Sequence, residues 1–212
     1  MTTHTIQIFN QSGVAKSYVL FMQPPQIDTA QTFANAWVTF NSVTSGGFDS
    51  ITYDGSVYAY WGTTPDMFAP GTVVSSGGVA LVDLSKSDQV PFTGASPTGF
   101  GPVVEGHAPA GGFSIAAAGD FSPAAGFVFG WAKAATSPVP VPVATVAAMP
   151  NTVVTFTPTN LVYVADFFAT TGQVINVTEI SDPVAIDFSG KLQTTATVIQ
   201  NADGSFVVDF TR

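Results

Sequence analysis

The chain has 212 residues, with five Lys and Arg against fourteen Asp and Glu, a formal net charge of −9 and no cysteine. That length can bury a sizeable core without covalent staples, and the lack of cysteine excludes disulfides, thiolate metal sites and cysteine nucleophiles. Charged residues make up 9% of the chain, against ~25% in an ordinary domain, and the cations Lys16, Lys86, Lys133, Lys191 and Arg212 are scattered, so nucleic-acid binding and charge-driven docking on anionic lipid are both disfavoured.

The opening Met1-Thr-Thr-His-Thr-Ile-Gln-Ile-Phe has neither a basic segment nor a sustained apolar one. As given it is no signal peptide, so the expectation is a cytoplasmic protein, one exported by another route, or one already processed. Strands are predicted at Thr5–Phe9 and Ser17–Phe21. The run Thr5-Ile-Gln-Ile-Phe-Asn-Gln-Ser-Gly, followed by Ser17-Tyr-Val-Leu-Phe, resembles in outline the start of small β-sandwich lectins and cytolysins; no family follows from so short a stretch. Asn10-Gln-Ser12, like Asn176-Val-Thr178 later, matches the glycosylation acceptor pattern. After Pro24-Pro25, with Asp28 as N-cap, residues Thr29 to Ala36 form the single helical candidate. A strand at Trp37–Asn41 follows.

Residues 48–61, Phe-Asp-Ser-Ile-Thr-Tyr-Asp-Gly-Ser-Val-Tyr-Ala-Tyr-Trp, read as a hairpin of strands Phe48–Tyr53 and Val57–Gly62. Asp54-Gly55 is the two-residue loop of a type I′ turn, which sets Tyr53 opposite Ser56, Ile51 opposite Tyr58 and Asp49 opposite Tyr60. Alternation puts those six on one face and Phe48, Ser50, Thr52, Val57, Ala59 and Trp61 on the other. Asp49, Tyr53, Tyr58 and Tyr60 are the candidate ligand-binding residues. Phenol rings offer flat apolar area to the C–H side of a sugar, and Asp49 with the hydroxyls can take its polar side. The competing reading makes this face a core layer with phenols at its rim.

A strand at Val79–Leu84 leads toward a long surface loop at Gly94–Gly112, rich in glycine and proline. Within it Glu105-Gly-His107 is the one acid and imidazole pair close in sequence, but His4 is the only other histidine, so a catalytic metal is not expected. No Gly-x-Ser-x-Gly elbow, phosphate loop or dinucleotide fingerprint occurs. Calcium held by scattered loop carboxylates and carbonyls is the remaining metal alternative.

Further strands are predicted at Gly112–Ala117 and Gly126–Trp131. The stretch Ala134 to Ala165 lacks Asp, Glu, Lys, Arg and His, yet Pro138, Pro140, Pro142, Pro150 and Pro158 rule out a transmembrane helix. Ser137-Pro-Val-Pro-Val-Pro-Val suits an edge strand or connector and forbids a central strand. Either residues 1–212 form a single β-sandwich domain, or two subdomains join near 137–142. Strands at Val141–Ala147, Val153–Thr157, Leu161–Phe168, Val174–Ile180, Val184–Phe188, Leu192–Gln200 and Ser205–Phe210 complete the chain.

Short apolar or alternating runs between turn signals, without helical periodicity, make the class all-β: an antiparallel β-sandwich, jelly-roll-like or two packed sheets, with little or no helix. The first functional reading is a non-enzymatic binding protein with lectin-like recognition of a glycan or another small polar–apolar ligand. One alternative is a self-associating structural or pore-forming protein, since so few charges leave strand edges unprotected and a homo-oligomer is expected. Another is a cavity enzyme of cyclase or isomerase type in which Glu105 or Asp120 moves a proton.

Overall fold

The computed structural model describes residues 2–23, 31–64, 68–135 and 139–212. The first strands are β1 (Thr3–Asn10), β2 (Lys16–Met22), β3 (Thr32–Asn35), β4 (Val38–Val43), β5 (Phe48–Asp54) and β6 (Val57–Thr63). Next come β7 (Ser75–Val82), β8 (Gln89–Thr93), β9 (Gly99–Phe100), β10 (Phe113–Ala117) and β11 (Phe127–Lys133). The last are β12 (Val141–Ala147), β13 (Val153–Phe156), β14 (Leu161–Asp166), β15 (Val174–Ile175), β16 (Val184–Asp187), β17 (Thr195–Gln200) and β18 (Phe206–Thr211). Helical structure among the described residues is confined to short 3-10 turns at Leu84–Lys86, Pro123–Ala125 and Val177–Glu179.

The chain is an all-β sandwich of four packed sheets, ordered β18-β17-β1-β5, β16-β14-β2-β4, β13-β10-β8-β9 and β15-β3-β12-β11-β6-β7. Pairing is antiparallel except for β1 with β17 and β8 with β10. Every sheet draws strands from both sides of segment 137–142, so that segment divides none of them. One buried cluster takes Ile6 and Val198 from the first sheet, Leu20 and Val162 from the second, Val90 and Ile115 from the third, and Ala59 and Trp131 from the fourth. Strand alternation explains it: the inward parity of each strand is apolar, and each large side chain so buried contributes ~1.5–3 kcal/mol.

Every predicted strand overlaps an observed one, but four expectations are corrected. The helix proposed for Thr29–Ala36 is a strand where it is described: β3 fills the slot between β12 and β15. A segment that short gains little as an isolated helix, whereas ladder pairing on both sides satisfies its backbone; its Asp28 cap and Pro24-Pro25 lie outside the described residues. The Gly94–Gly112 loop contains β9, which pairs Phe100 with Phe92, and β8 precedes it unforeseen.

The third correction concerns proline. Pro142 lies in β12, an interior strand of the six-stranded sheet, although alternating prolines were expected to forbid this. The register with β11 shifts between Trp131 and Ala132, and β3 pairs only with Ala144 to Val146. Pro142 therefore sits beside a bulge with one neighbouring strand, a place where a sheet tolerates proline. Ser137 and Pro138 lie outside the described residues.

The fourth correction is the hairpin. Residues 48–54 and 57–63 are both strands, but in different sheets: β5 pairs with β1, and β6 with β11 and β7. Neither Asp54 nor Gly55 takes the left-handed φ that a type I′ turn needs. Residues 55 and 56, with Asp54 at the end of β5, form an arch that carries the chain from one sheet to another.

Candidate functional site

The arch decides where the four sequence candidates go. In a hairpin, Tyr53 would share a face with Tyr58 and Tyr60. In an arch the apolar sides of both strands turn inward, so Ile51 and Tyr53 join Val57 and Ala59 in the main core. Asp49 is exposed on β5, where its Oδ1 accepts from the Ser50 N–H at 2.8 Å. Tyr53 is 5% exposed and meets Trp37 edge-on at 5.1 Å.

Tyr58 and Tyr60 point to the opposite side of β6. Tyr60 is fully buried with Val74, Val128 and Val174, and burial raises its phenol well above the ordinary tyrosine range. Its hydroxyl bonds to Thr145 Oγ1, which donates to Asn35 Oδ1 at 2.6 Å, while Asn35 Nδ2 donates to the Gly172 carbonyl at 3.0 Å. Gly130 makes room for that ring: a Cβ there would stand 1.9 Å from the Ala144 carbonyl oxygen and 2.3 Å from Tyr60 Cε1. Tyr58 alone of the three is half-buried, paired across the ladder with Leu81. The structure thus does not bring the four candidates together.

Lys133 holds the arch. Phe129, Trp131 and Lys133 alternate along β11 on the core side, and the lysine, 1% exposed, reaches the sandwich end. Its Nζ donates to the carbonyls of Asp54 at 2.8 Å and Ser56 at 3.4 Å and lies 5.3 Å from the centre of the Tyr53 ring. Burial pulls its ammonium down to about 8, against the opposing pull of Asp54. Asp54 Oδ1 accepts from the Ser56 N–H at 2.8 Å, and that bond leads the causes that lower its carboxyl. On one side of the arch a cavity of about 80 Å³ is lined by His4, Tyr53, Asn160 and Phe188. His4 stacks on Phe188 at 4.3 Å, and burial, then Lys133, lowers its pKa.

On the other side lies an open groove of about 540 Å³. Val57, Leu81, Val82, Leu84 and Val103 supply its apolar wall, and Asp83, Ser85, Lys86, Asp88 and Glu105 its polar end. That end is built from the 3-10 turn Leu84–Lys86. Asp83 Oδ1 caps the turn, accepting from Ser85 N at 2.9 Å and Ser85 Oγ at 2.6 Å, and Ser85 holds its carboxyl below the usual range. The Asp83 N–H donates to Asp88 Oδ2 at 2.8 Å. Asp88 is 5% exposed, and its Oδ1 has no hydrogen-bond partner among the described residues. The 104–108 loop docks on the turn through Gly106 N to Lys86 O at 2.9 Å and His107 N to Ser87 O at 3.0 Å. This sets Glu105 2.6 Å from Lys86 Nζ in an exposed ion pair, the sort that adds little stability.

Glu105 therefore engages Lys86, and His107 is exposed. Asp120 is committed to its own loop, accepting from the Thr93 hydroxyl, from Gly94 N at 2.9 Å and from Ala95 N at 3.2 Å. No group of three or more His, Asp or Glu side chains placed to hold a metal occurs among the described residues. No described helix is long and apolar enough to cross a membrane. Asn10 of the first acceptor pattern is buried with both ends of its amide engaged, by Ser12, Val14 and Val43.

Sequence reasoning missed Lys133 and Asp88. Lys133 extends the Phe127, Phe129, Trp131 alternation by one step, a signal that ending the strand at Trp131 discarded. Asp88 reads as a turn aspartate in Ser85-Lys-Ser-Asp, and nothing local marks it as buried. No curated protein and no solved structure matches the chain. The RhiA family model matches residues 1–210, and the chain belongs to the RhiA family.

Proposed function

We propose that the protein is a non-enzymatic binding module whose groove beside the arch takes a small ligand with an apolar face and a polar edge, a glycan being one such ligand. The observation that carries this reading is the mixed lining of the groove, Val57, Leu81 and Val103 together with Asp83, Ser85 and Glu105, around about 540 Å³. That volume falls within the ~300–1,000 Å³ of small-molecule sites, which pair apolar walls with a few polar groups in the same way. The test is a panel of mono- and oligosaccharides and small neutral amphiphiles, titrated into ¹⁵N-labelled protein. Saturable shifts at the amides of Val57, Ser85 and Val103, lost in Leu81→Lys, are expected. Saturable binding that maps elsewhere, or survives Leu81→Lys, refutes the reading.

Self-association is the second reading, favoured by one observation. β7 ends the six-stranded sheet and exposes Val79 and Leu81, the latter at 57%. A second copy across that edge would cover both. Sedimentation over a wide concentration range should then show a dimer that Leu81→Lys dissolves; a monomer throughout rejects it.

A further inference from the structure

Across the arch from the groove, one core side chain holds a polar atom that nothing in the fold uses. Tyr53 is 5% exposed, and its hydroxyl makes no hydrogen bond among the described residues; burial alone raises its pKa. Buried phenols ordinarily find a partner, because a desolvated hydroxyl without one is costly. Four other unpartnered atoms of the described residues, His4 Nδ1, Thr32 Oγ1, Asp88 Oδ1 and Trp131 Nε1, are sealed from solvent. The Tyr53 hydroxyl is not one of them, and the opening that Tyr53 lines is the cavity of about 80 Å³ that it shares with His4, Asp54, Asn160 and Phe188. At the ~30 Å³ that a water takes up in the liquid, this space holds about two or three waters or a group of about four heavy atoms, too little for a whole sugar.

We propose that this cavity receives an acetamido group, the N-acetyl substituent of a sugar or an amine whose remainder stays outside. The Tyr53 hydroxyl donates to the carbonyl oxygen of the group, and the methyl packs on the Phe188 ring. The amide N–H donates to the side-chain carbonyl of Asn160, an exposed residue of the lining whose side chain makes no hydrogen bond among the described residues. Charge selects against the ionised alternatives. A carboxylate would meet Asp54 in the wall, and an ammonium would meet Lys133, whose Nζ lies 5.3 Å from the centre of the Tyr53 ring; a neutral amide meets neither penalty. The cavity and the groove lie on opposite sides of the arch, so this inference does not rest on the groove as a ligand site.

The probes are N-methylacetamide, acetate and methylammonium, each titrated into ¹⁵N-labelled protein at pH 7 while the amides of His4, Asp54 and Ser189 are followed. N-methylacetamide is expected to bind with a Kd on the order of millimolar, which is what about five heavy atoms supply, and the two ions at least about fivefold more weakly. Tyr53→Phe removes only the unpartnered hydroxyl, so it should fold with an unchanged or higher Tm and weaken N-methylacetamide at least about fivefold, the loss of one hydrogen bond. Asn160→Ala, at an exposed position, should weaken it about threefold or more without touching the core. N-acetylglucosamine against glucose, and N-butylacetamide against 1-butanol, distinguish the two carriers. Binding of either acetylated member without its counterpart supports the assignment. N-methylacetamide binding that is unchanged in Tyr53→Phe, acetate binding as tightly, or acceptance of neither carrier overturns it. Absence of any shift at these amides up to about 100 mM means that the cavity holds water only, which overturns it too and leaves the groove reading untouched.

Discussion

Lys133 makes the stability of this protein depend on pH in a window where few groups titrate. An ordinary lysine has a pKa near ~10.4, and burial brings this one down to about 8. Its folded pKa is depressed, so the unfolded chain binds the extra proton between the two values. Stability therefore rises with pH across that window, is highest above the unfolded pKa, and is lost as pH falls through the folded one. Integrating the linkage relation between those values gives a gain of about 2 kcal/mol from pH 7 to pH 9.5. Tyr18, Tyr53 and Tyr60 oppose this, because burial raises all three phenols, but their effect sets in only near the ordinary tyrosine pKa of ~10. Lys133→Met separates the contributions. At pH 7 it removes a buried charge but strips the Asp54 and Ser56 carbonyls of a donor, terms of similar size and opposite sign, so the variant should lie within about 1 kcal/mol of the parent. By pH 9.5 most of the charge penalty has gone from the parent while the loss of the donor persists, and the variant should be about 2 kcal/mol less stable. Urea melts of both proteins at half-unit pH steps from 7 to 9.5 measure this. Parallel stability curves would refute the reasoning and mean that Lys133 is solvated.

Other outcomes follow from the geometry. Gly130→Ala forces a methyl to within 1.9 Å of the Ala144 carbonyl oxygen, a contact the ladder cannot relax, and should cost ~3 kcal/mol or more by calorimetry. Tyr60→Ala should cost ~3–5 kcal/mol, as buried aromatic truncations do, whereas Tyr60→Phe, which only breaks the chain through Thr145 and Asn35, should cost ~1–2 kcal/mol. Asp54→Ala loses the bond to Ser56 N at 2.8 Å and should cost ~1 kcal/mol or less in a denaturant melt.

The class and nearly all the strands were legible because alternation and turn punctuation are local signals, and the all-β architecture needs little else. What escaped was decided by partners far away in the sequence. Asp54-Gly55 favours a hairpin locally, yet β1 claims the edge of β5 and β11 claims that of β6, so the same dipeptide bends an arch. With the arch the face assignment inverts: Tyr53 goes to one core, Tyr60 to another, and the platform of four residues dissolves. Pro142 was misread for a related reason, since a proline rule framed for whole strands misses a strand with a neighbour on one side at that residue. The groove was illegible because residues 55–57, 81–88 and 103–105 meet only through the β6–β7 ladder and the docking of the 104–108 loop on the 3-10 turn.

Moving the site from a tyrosine face to the groove rests on one structural claim, that β5 and β6 belong to different sheets. Because the chain has no cysteine, engineered pairs test it directly. Thr5 and Thr52 are paired across β1 and β5 with their hydroxyls 3.1 Å apart, close enough for a disulfide after replacement, whereas Thr52 and Val57 would be neighbours only in a hairpin. Under mild oxidation, Thr5→Cys with Thr52→Cys should cross-link fully and Thr52→Cys with Val57→Cys should retain two titratable thiols. Cross-linking of the second pair with none in the first would contradict the arch.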